Sequence, residues 1–204
     1  MKINKKILAL SITLLSLNAF ADEHHAEHNH FEGAYVVLAN EWKSASVKVD
    51  DEKIKKSESA PSLAVGYTFA IDSHSTLGVK LTVDTKNGEY GAGETVLGAG
   101  ETMVQEKSHY SLAVEPGYAF DDKLLVFGIL GYHHAKANLL LDEVSQGQAT
   151  LSGVGYGLGA KYAFADHMFL MLEYQHVNYS STTIDASKIK PASDVIALGL
   201  GYHF

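Results

Sequence analysis

The sequence predicts an all-β protein, an eight-stranded antiparallel up-and-down transmembrane β-barrel, and three observations carry that prediction. A Tyr-x-Phe pair closes four segments: Tyr67-Thr68-Phe69, Tyr118-Ala119-Phe120, Tyr162-Ala163-Phe164 and the final Tyr202-His203-Phe204. Apolar residues ahead of each pair alternate with glycine, alanine, threonine and single charges. Short polar stretches follow the first three pairs, whereas longer polar or glycine-rich stretches separate the segments at their other ends. Tyr and Phe two residues apart share one face of a strand, so four such pairs at one end of four strands form an aromatic ring, which suits a membrane–water interface.

The 204-residue chain opens with Lys2, Lys5 and Lys6, an apolar run over residues 7–17, and Ala19-Phe20-Ala21. These are the basic, apolar and small-x-small parts of a secretory signal peptide cleaved after Ala21. The apolar run is too short for a spanning helix, and no later stretch is long enough. Three segments are therefore expected: a signal peptide over 1–21, a His-rich acidic arm over 22–32, and a barrel over 33–204. Losing residues 1–21 removes three lysines and no acid, which takes the formal charge from −8 to −11. An acidic chain without arginine is unsuited to nucleic acid, where guanidinium forks and basic stripes supply affinity. With no cysteine there is no disulfide framework, thiolate nucleophile or thiolate metal site.

The first strand is expected over residues 31–42, with its facing ambiguous because Ala34 to Ala39 is apolar at every position. Residues 43–60 are charged and mixed and read as a solvated loop closed by Pro61. The second and third strands are expected over 63–69 and 76–84, and the latter alternates Leu77, Val79, Leu81 and Val83 against Gly78, Lys80, Thr82 and Asp84. Residues 86–107 carry Gly91-Ala92-Gly93-Glu94-Thr95 and again Gly98-Ala99-Gly100-Glu101-Thr102, which reads as a mobile linker or a surface recognition loop. Strands follow at 110–120, 124–139, 153–164, 168–179 and 195–204, with loops at 142–147 and 180–194. Four glycines alternate in the sixth strand (Gly153, Gly155, Gly157, Gly159), but the period is two throughout and no helix pattern follows, which excludes a phosphate-binding loop. A soluble barrel would turn its apolar face inward and expose the other. Here the other face is glycine, alanine, threonine and lone charges, which suits a narrow lumen.

If the aromatic pairs face outward, Lys80, Glu115, Lys161 and Glu173 fall inside near mid-depth, two of each sign. Neighbouring strands then bring Lys80 to Glu115 and Lys161 to Glu173, which keeps ionised groups paired where bulk water is scarce. On the same reasoning His133 and His176 face outward near the far interface. In the arm, His24, His25, His28 and His30 lie beside Asp22, Glu23 and Glu27. This segment reads as a solvated spacer without cofactor; the sharper alternative is a tail that captures zinc, copper or nickel through neutral imidazoles.

The signal peptide, the segments Glu115-Pro116-Gly117-Tyr118 and Glu173-Tyr174, and the aromatic terminus with Ile196, Leu198, Leu200 and Tyr202 in register resemble the outer membrane protein beta-barrel domain family, the OmpA/OmpX-like eight-stranded barrels often called porin-family proteins. The resemblance implies residence in the outer membrane of a Gram-negative cell with both termini periplasmic, among outer-membrane lipids and lipopolysaccharide. It also implies that Tyr202 and Phe204 form the signal read by the barrel-assembly machinery. The expected role is structural or surface interaction through the outer loops, with no catalytic residue. The alternatives are a small-solute pore, disfavoured because eight strands leave room only for side chains, and a lipid A-modifying enzyme. Barrel deacylases of that kind resemble this chain, but they carry a serine two residues after a strand histidine; here His176 is followed by Val177 and Asn178, and an amide is no nucleophile.

Overall fold

Period-two alternation commits this chain to strands, and the closed sheet they form gives every interior strand a neighbour on both sides. The computed structural model describes residues 29–49, 52–85, 88–94, 101–141, 144–180, 182–184 and 187–204. Its strands are β1 (Gly33–Val49), β2 (Glu52–Ala70), β3 (Ser75–Asp84), β4 (Gly88–Glu94), β5 (Glu101–Ala119), β6 (Leu124–Leu141), β7 (Val144–Ala165), β8 (Met168–Tyr179), β9 (Thr182–Ile184) and β10 (Ser187–His203). All pairings are antiparallel between neighbouring staves, and β1 closes on β10 from Tyr35 opposite His203 to Lys48 opposite Lys190. Because β4 follows β3 along the same neighbour β5, and β9 follows β8 along β10, the ten elements build eight staves.

The expected loops are shorter than the sequence suggests. Residues 43–60 are mostly strand, with Lys43 opposite Glu58 and Val49 opposite Glu52. The stretch 86–107 contains β4 and the start of β5, the stretch 142–147 enters β7, and the stretch 180–194 contains β9 and much of β10. Alternation fades in these stretches while the backbone ladder continues. Alternation is the signal that marks strand ends in the sequence, and it stops before the strands do.

At the opposite end the turns are tight. Asp72 accepts the backbone N–H of Ser75 (2.7 Å) and of His74 (2.9 Å), which holds its carboxyl below the usual carboxylate range. Asp121 accepts the N–H groups of Lys123 and Leu124 in the same way, both at 2.8 Å. Outward from this end stand Phe69, Tyr118, Phe120, Tyr162, Phe164, Tyr202 and Phe204. A second ring faces outward nearer the long hairpins: Trp42, Tyr110, Tyr132, Tyr156 and Tyr174. Phe164 and Tyr156 are about 26 Å apart along β7, which strand tilt shortens to roughly the apolar band of an outer-membrane barrel. Leu112, Leu130, Leu158, Leu172 and Leu198 fill the belt between the rings.

Inside, aromatic rings fit against glycines. A Cβ on Gly159 would overlap the Phe127 ring, and one on Gly201 would overlap Phe169. Valine at either position forces a ring off its rotamer at a cost of about 1–3 kcal/mol. Gly159→Val and Gly201→Val are therefore expected to lower the temperature at which the barrel opens in detergent, followed by gel mobility. An unchanged transition in both would show that these glycines leave the rings room to move.

Candidate functional site

The lumen is occupied in three layers. At the short-turn end, the segment before β1 folds back as a plug. Asn29 Oδ1 accepts the N–H of Phe31 (3.1 Å), and its Nδ2 donates to Ser73 O (3.3 Å). Phe31 is thereby buried beside His203, and Gly33, at a positive φ of 123°, turns the chain from the plug into β1. The sequence pattern starts a strand at residue 31. Phe31 is instead a stopper, because an apolar ring at the mouth is better covered by His203 than exposed. Tyr35, Phe169 and His203 pack above it, with Phe169 and His203 centroids 4.9 Å apart.

At mid-depth lie the four sequence-identified charges, each 4% exposed or less. Small neighbours let them reach the axis: Lys80 is flanked by Gly66 and Ala113, Glu115 faces Gly78, and Glu173 lies between Gly159 and Ala197. They form one cluster, in which the expected pair of Lys80 with Glu115 is present and the expected pair of Lys161 with Glu173 is not. Lys80 Nζ bonds Glu173 Oε1 and lies 2.6 Å from Glu115 Oε1. Lys161 Nζ lies 3.5 Å from Glu115 Oε2 and has no ion pair with Glu173, although their strands adjoin. Its ammonium sits 3.8 Å from the centroid of the Tyr35 ring, and Tyr35 Oη donates to Glu115 Oε2 (3.1 Å). Lys161 and Glu173 are two residues out of register on adjacent strands, as Lys80 and Glu115 also are, so strand adjacency alone does not choose the pairing, and Glu173 instead meets Lys80 across the lumen.

Towards the long hairpins is a third layer, of which the sequence pattern gives the facing of Asp84 but not the grouping: Glu41, Lys43, Asp84, His109 and His133, every one facing inward. Lys43 Nζ bonds Asp84 Oδ2 and lies 3.4 Å from Glu41 Oε2. His109 Nδ1 is 3.3 Å from both Asp84 Oδ1 and Lys43 Nζ, and His109 Nε2 is 3.2 Å from His133 Nδ1. Glu41 and Lys43 are hidden by the uniform apolar run ahead of them and by the loop assignment. His109 is recoverable, since it extends the inward parity of Ser111, Ala113 and Glu115 by one step. His133, expected to face outward, is 3% exposed and faces the lumen. On β6 the inward face is itself apolar, with Leu125, Phe127 and Ile129, because the glycines of β7 opposite leave space for large side chains; apolar character alone gives the wrong parity.

His176 does face outward, as expected. Its Nδ1 is 2.7 Å from Asp194 Oδ1, which also accepts from Tyr174 Oη (2.9 Å). Asn178, beside this dyad in sequence, offers no nucleophile. Of the four arm histidines, His24, His25 and His28 lie outside the described residues, while His30 is exposed at the plugged mouth. Tyr202 and Phe204 face outward at the end of β10, and the Phe204 N–H donates to Ala34 O (3.0 Å).

Glu115 serves both lysines and Tyr35, whereas among the described residues Glu173 has its ion pair with Lys80 and a 3.5 Å contact from the Gln175 amide. Removing one partner of a buried pair costs about 3–5 kcal/mol because it strands the other charge. Glu115→Gln is accordingly expected to destabilise the barrel more than Glu173→Gln, measured by urea titration in detergent. The reverse order would mean that Lys161 does not depend on Glu115.

No curated protein matches the chain in sequence. In fold it is similar to Neisserial surface protein A, at 17% identity and a TM-score of 0.57 over 85% of this chain and 100% of that one. It is likewise similar to a major outer membrane protein from Thermus thermophilus, at 15% identity and a TM-score of 0.52 over 85% and 100%. A third similar structure is Ail, the attachment invasion locus protein of Yersinia pestis, solved in complex with the heparin analogue sucrose octasulfate, at 17% identity and a TM-score of 0.51 over 84% and 99%. The sequence profile of the outer membrane protein beta-barrel domain matches residues 7–204, and with the closed eight-staved barrel it establishes that the chain belongs to that family of outer-membrane proteins.

Proposed function

We propose that this protein is a closed, non-catalytic barrel whose work is done at the long-hairpin end, facing outside the cell, with both termini in the periplasm. The observation that carries this reading is the filled lumen: a plug at one mouth and two charged layers above it leave the ends of the barrel as its contact surfaces. The hairpins are the more elaborate end, with β7 alone 22 residues long. An eight-stranded barrel packed this way argues against a small-solute pore. An acid–histidine dyad lacking a serine argues against acyl transfer to or from lipid A.

Ail is known in complex with a sulfated ligand. The present chain has a net charge of −8 and no arginine, which favours a less anionic partner for its hairpins. The apolar belt between two aromatic rings supports contact with outer-membrane lipids and lipopolysaccharide, and the outward Tyr202 and Phe204 support recognition by the barrel-assembly machinery.

An epitope inserted within residues 95–100 is expected to bind antibody on intact cells, and one inserted between Asp72 and His74 only after permeabilisation; the opposite pattern would reverse the orientation. The purified barrel is expected to stay electrically silent in planar bilayers, and large stable currents would overturn the closed lumen. Trimming residues 91–102 should weaken adhesion of expressing cells to host-cell matrix while leaving heat-modifiable mobility intact. Equal adhesion by trimmed and untrimmed cells would remove the hairpin-interaction role and leave a structural barrel.

A further inference from the structure

The layer nearest the long hairpins has a geometry beyond what a closed barrel needs. Glu41 on β1, Asp84 on β3 and His109 on β5 each offer one donor atom, and the three atoms lie within 4.8 Å of one another. They can converge because the stave between β1 and β3 places Ala60 opposite Glu41 and Ser62 opposite Asp84, side chains too short to separate them, while Glu58, the next position on that face, stands opposite Lys43. What sits among the three donors is a cation, the Lys43 ammonium, 3.4 Å from Glu41, bonded to Asp84 and 3.3 Å from His109 Nδ1. Lys43 enters from β1, two residues nearer the long hairpins than Glu41, on a flexible stem that can carry the ammonium towards that end.

The second imidazole adds an independent feature. His109 and His133 stack with centroids 5.3 Å apart and planes at 18°, and His109 Nε2 faces His133 Nδ1. For His109 to offer the Nδ1 lone pair, its proton must lie on Nε2, and His133 Nδ1 is the acceptor placed to hold it there. A metal-binding histidine is ordinarily oriented by such a bond from its other ring nitrogen. His133 is in turn held tightly, since a Cβ on Gly155 would press against its Nε2. Two carboxylate oxygens and one imidazole nitrogen form a three-ligand set of the kind zinc and its first-row neighbours accept, with a fourth position left for water.

We propose that Glu41, Asp84 and His109 form a divalent transition-metal site for zinc or a first-row relative, in which Lys43 is the resident cation that the metal displaces and His133 is the positioning residue behind His109. The site is separate from the His-rich arm and does not depend on the hairpin-interaction role.

The test uses the full mature chain, folded in detergent, with His24, His25, His28 and His30 replaced by alanine so that the arm does not contribute. Titration with Co²⁺ is expected to give visible d–d absorption that Zn²⁺ abolishes. Lys43→Ala should bind more tightly, because a unit charge this close opposes a second cation by more than tenfold even at an effective dielectric of about 20. His133→Phe keeps all three ligands and should weaken binding by about tenfold or more without abolishing it. His109→Gln and Glu41→Gln should lose the absorption while keeping the heat-modifiable mobility of a folded barrel. Absence of absorption from the arm-substituted parent at millimolar Co²⁺ would overturn the proposal. Absorption that survives in a folded His109→Gln variant would place the ion elsewhere and overturn it equally.

Discussion

Ionised groups placed inside an eight-staved barrel must find their partners within the lumen, and the interior depends on that constraint. Two lysines and two glutamates at mid-depth would each be costly alone, and together they become one cluster in which Glu115 bridges both ammoniums and accepts the Tyr35 hydroxyl. The aromatic rings follow from the same need, since Lys161, which shares Glu115 with Lys80 while Glu173 is taken by Lys80, is covered by the rings of Tyr35, Phe127 and Phe169. Gln175, whose amide reaches Glu173 at 3.5 Å, links this cluster towards the histidine layer above.

Glycine is the counterpart of those large side chains. Eight strands enclose little volume, so a ring or a long charged side chain can point inward only where its neighbour has no Cβ. Phe127 lies over Gly159, Phe169 over Gly201, Tyr35 over Gly66 and Glu115 beside Gly78. The runs of glycine in β7 and β10 are therefore half of a packing arrangement whose other half lies on different strands.

The outer surface obeys a simpler rule. Between the two aromatic rings it is apolar, and polar side chains stand near its upper margin, where Asp194 bonds both His176 and Tyr174. Above that margin the described hairpin ladders continue, with register shifts at Tyr90/Gly93, Glu106/Ser108 and Leu139/Leu140. Inside and outside thus differ in chemistry, with charges and rings packed in the lumen and an apolar belt on the outer face.

The barrel, its eight staves, the end at which the short turns lie, and the inward facing of Lys80, Glu115, Lys161 and Glu173 are all legible in the sequence. Each follows from period-two alternation and from the spacing of Tyr-x-Phe pairs, and those are local properties. The pair of Lys80 with Glu115 follows from strand adjacency, but that Glu173 crosses to Lys80 and leaves Lys161 to Glu115 is settled only by the closed sheet, because register and stagger set depth across strands while sequence spacing sets it only along one. The same holds for β6: with apolar residues on both faces, its parity is decided by the glycines of β7 that give Phe127 room. The layer of Glu41, Lys43, Asp84, His109 and His133 also belongs to the tertiary structure, for its members come from four staves and meet only because the stave between β1 and β3 is lined there by Ala60 and Ser62.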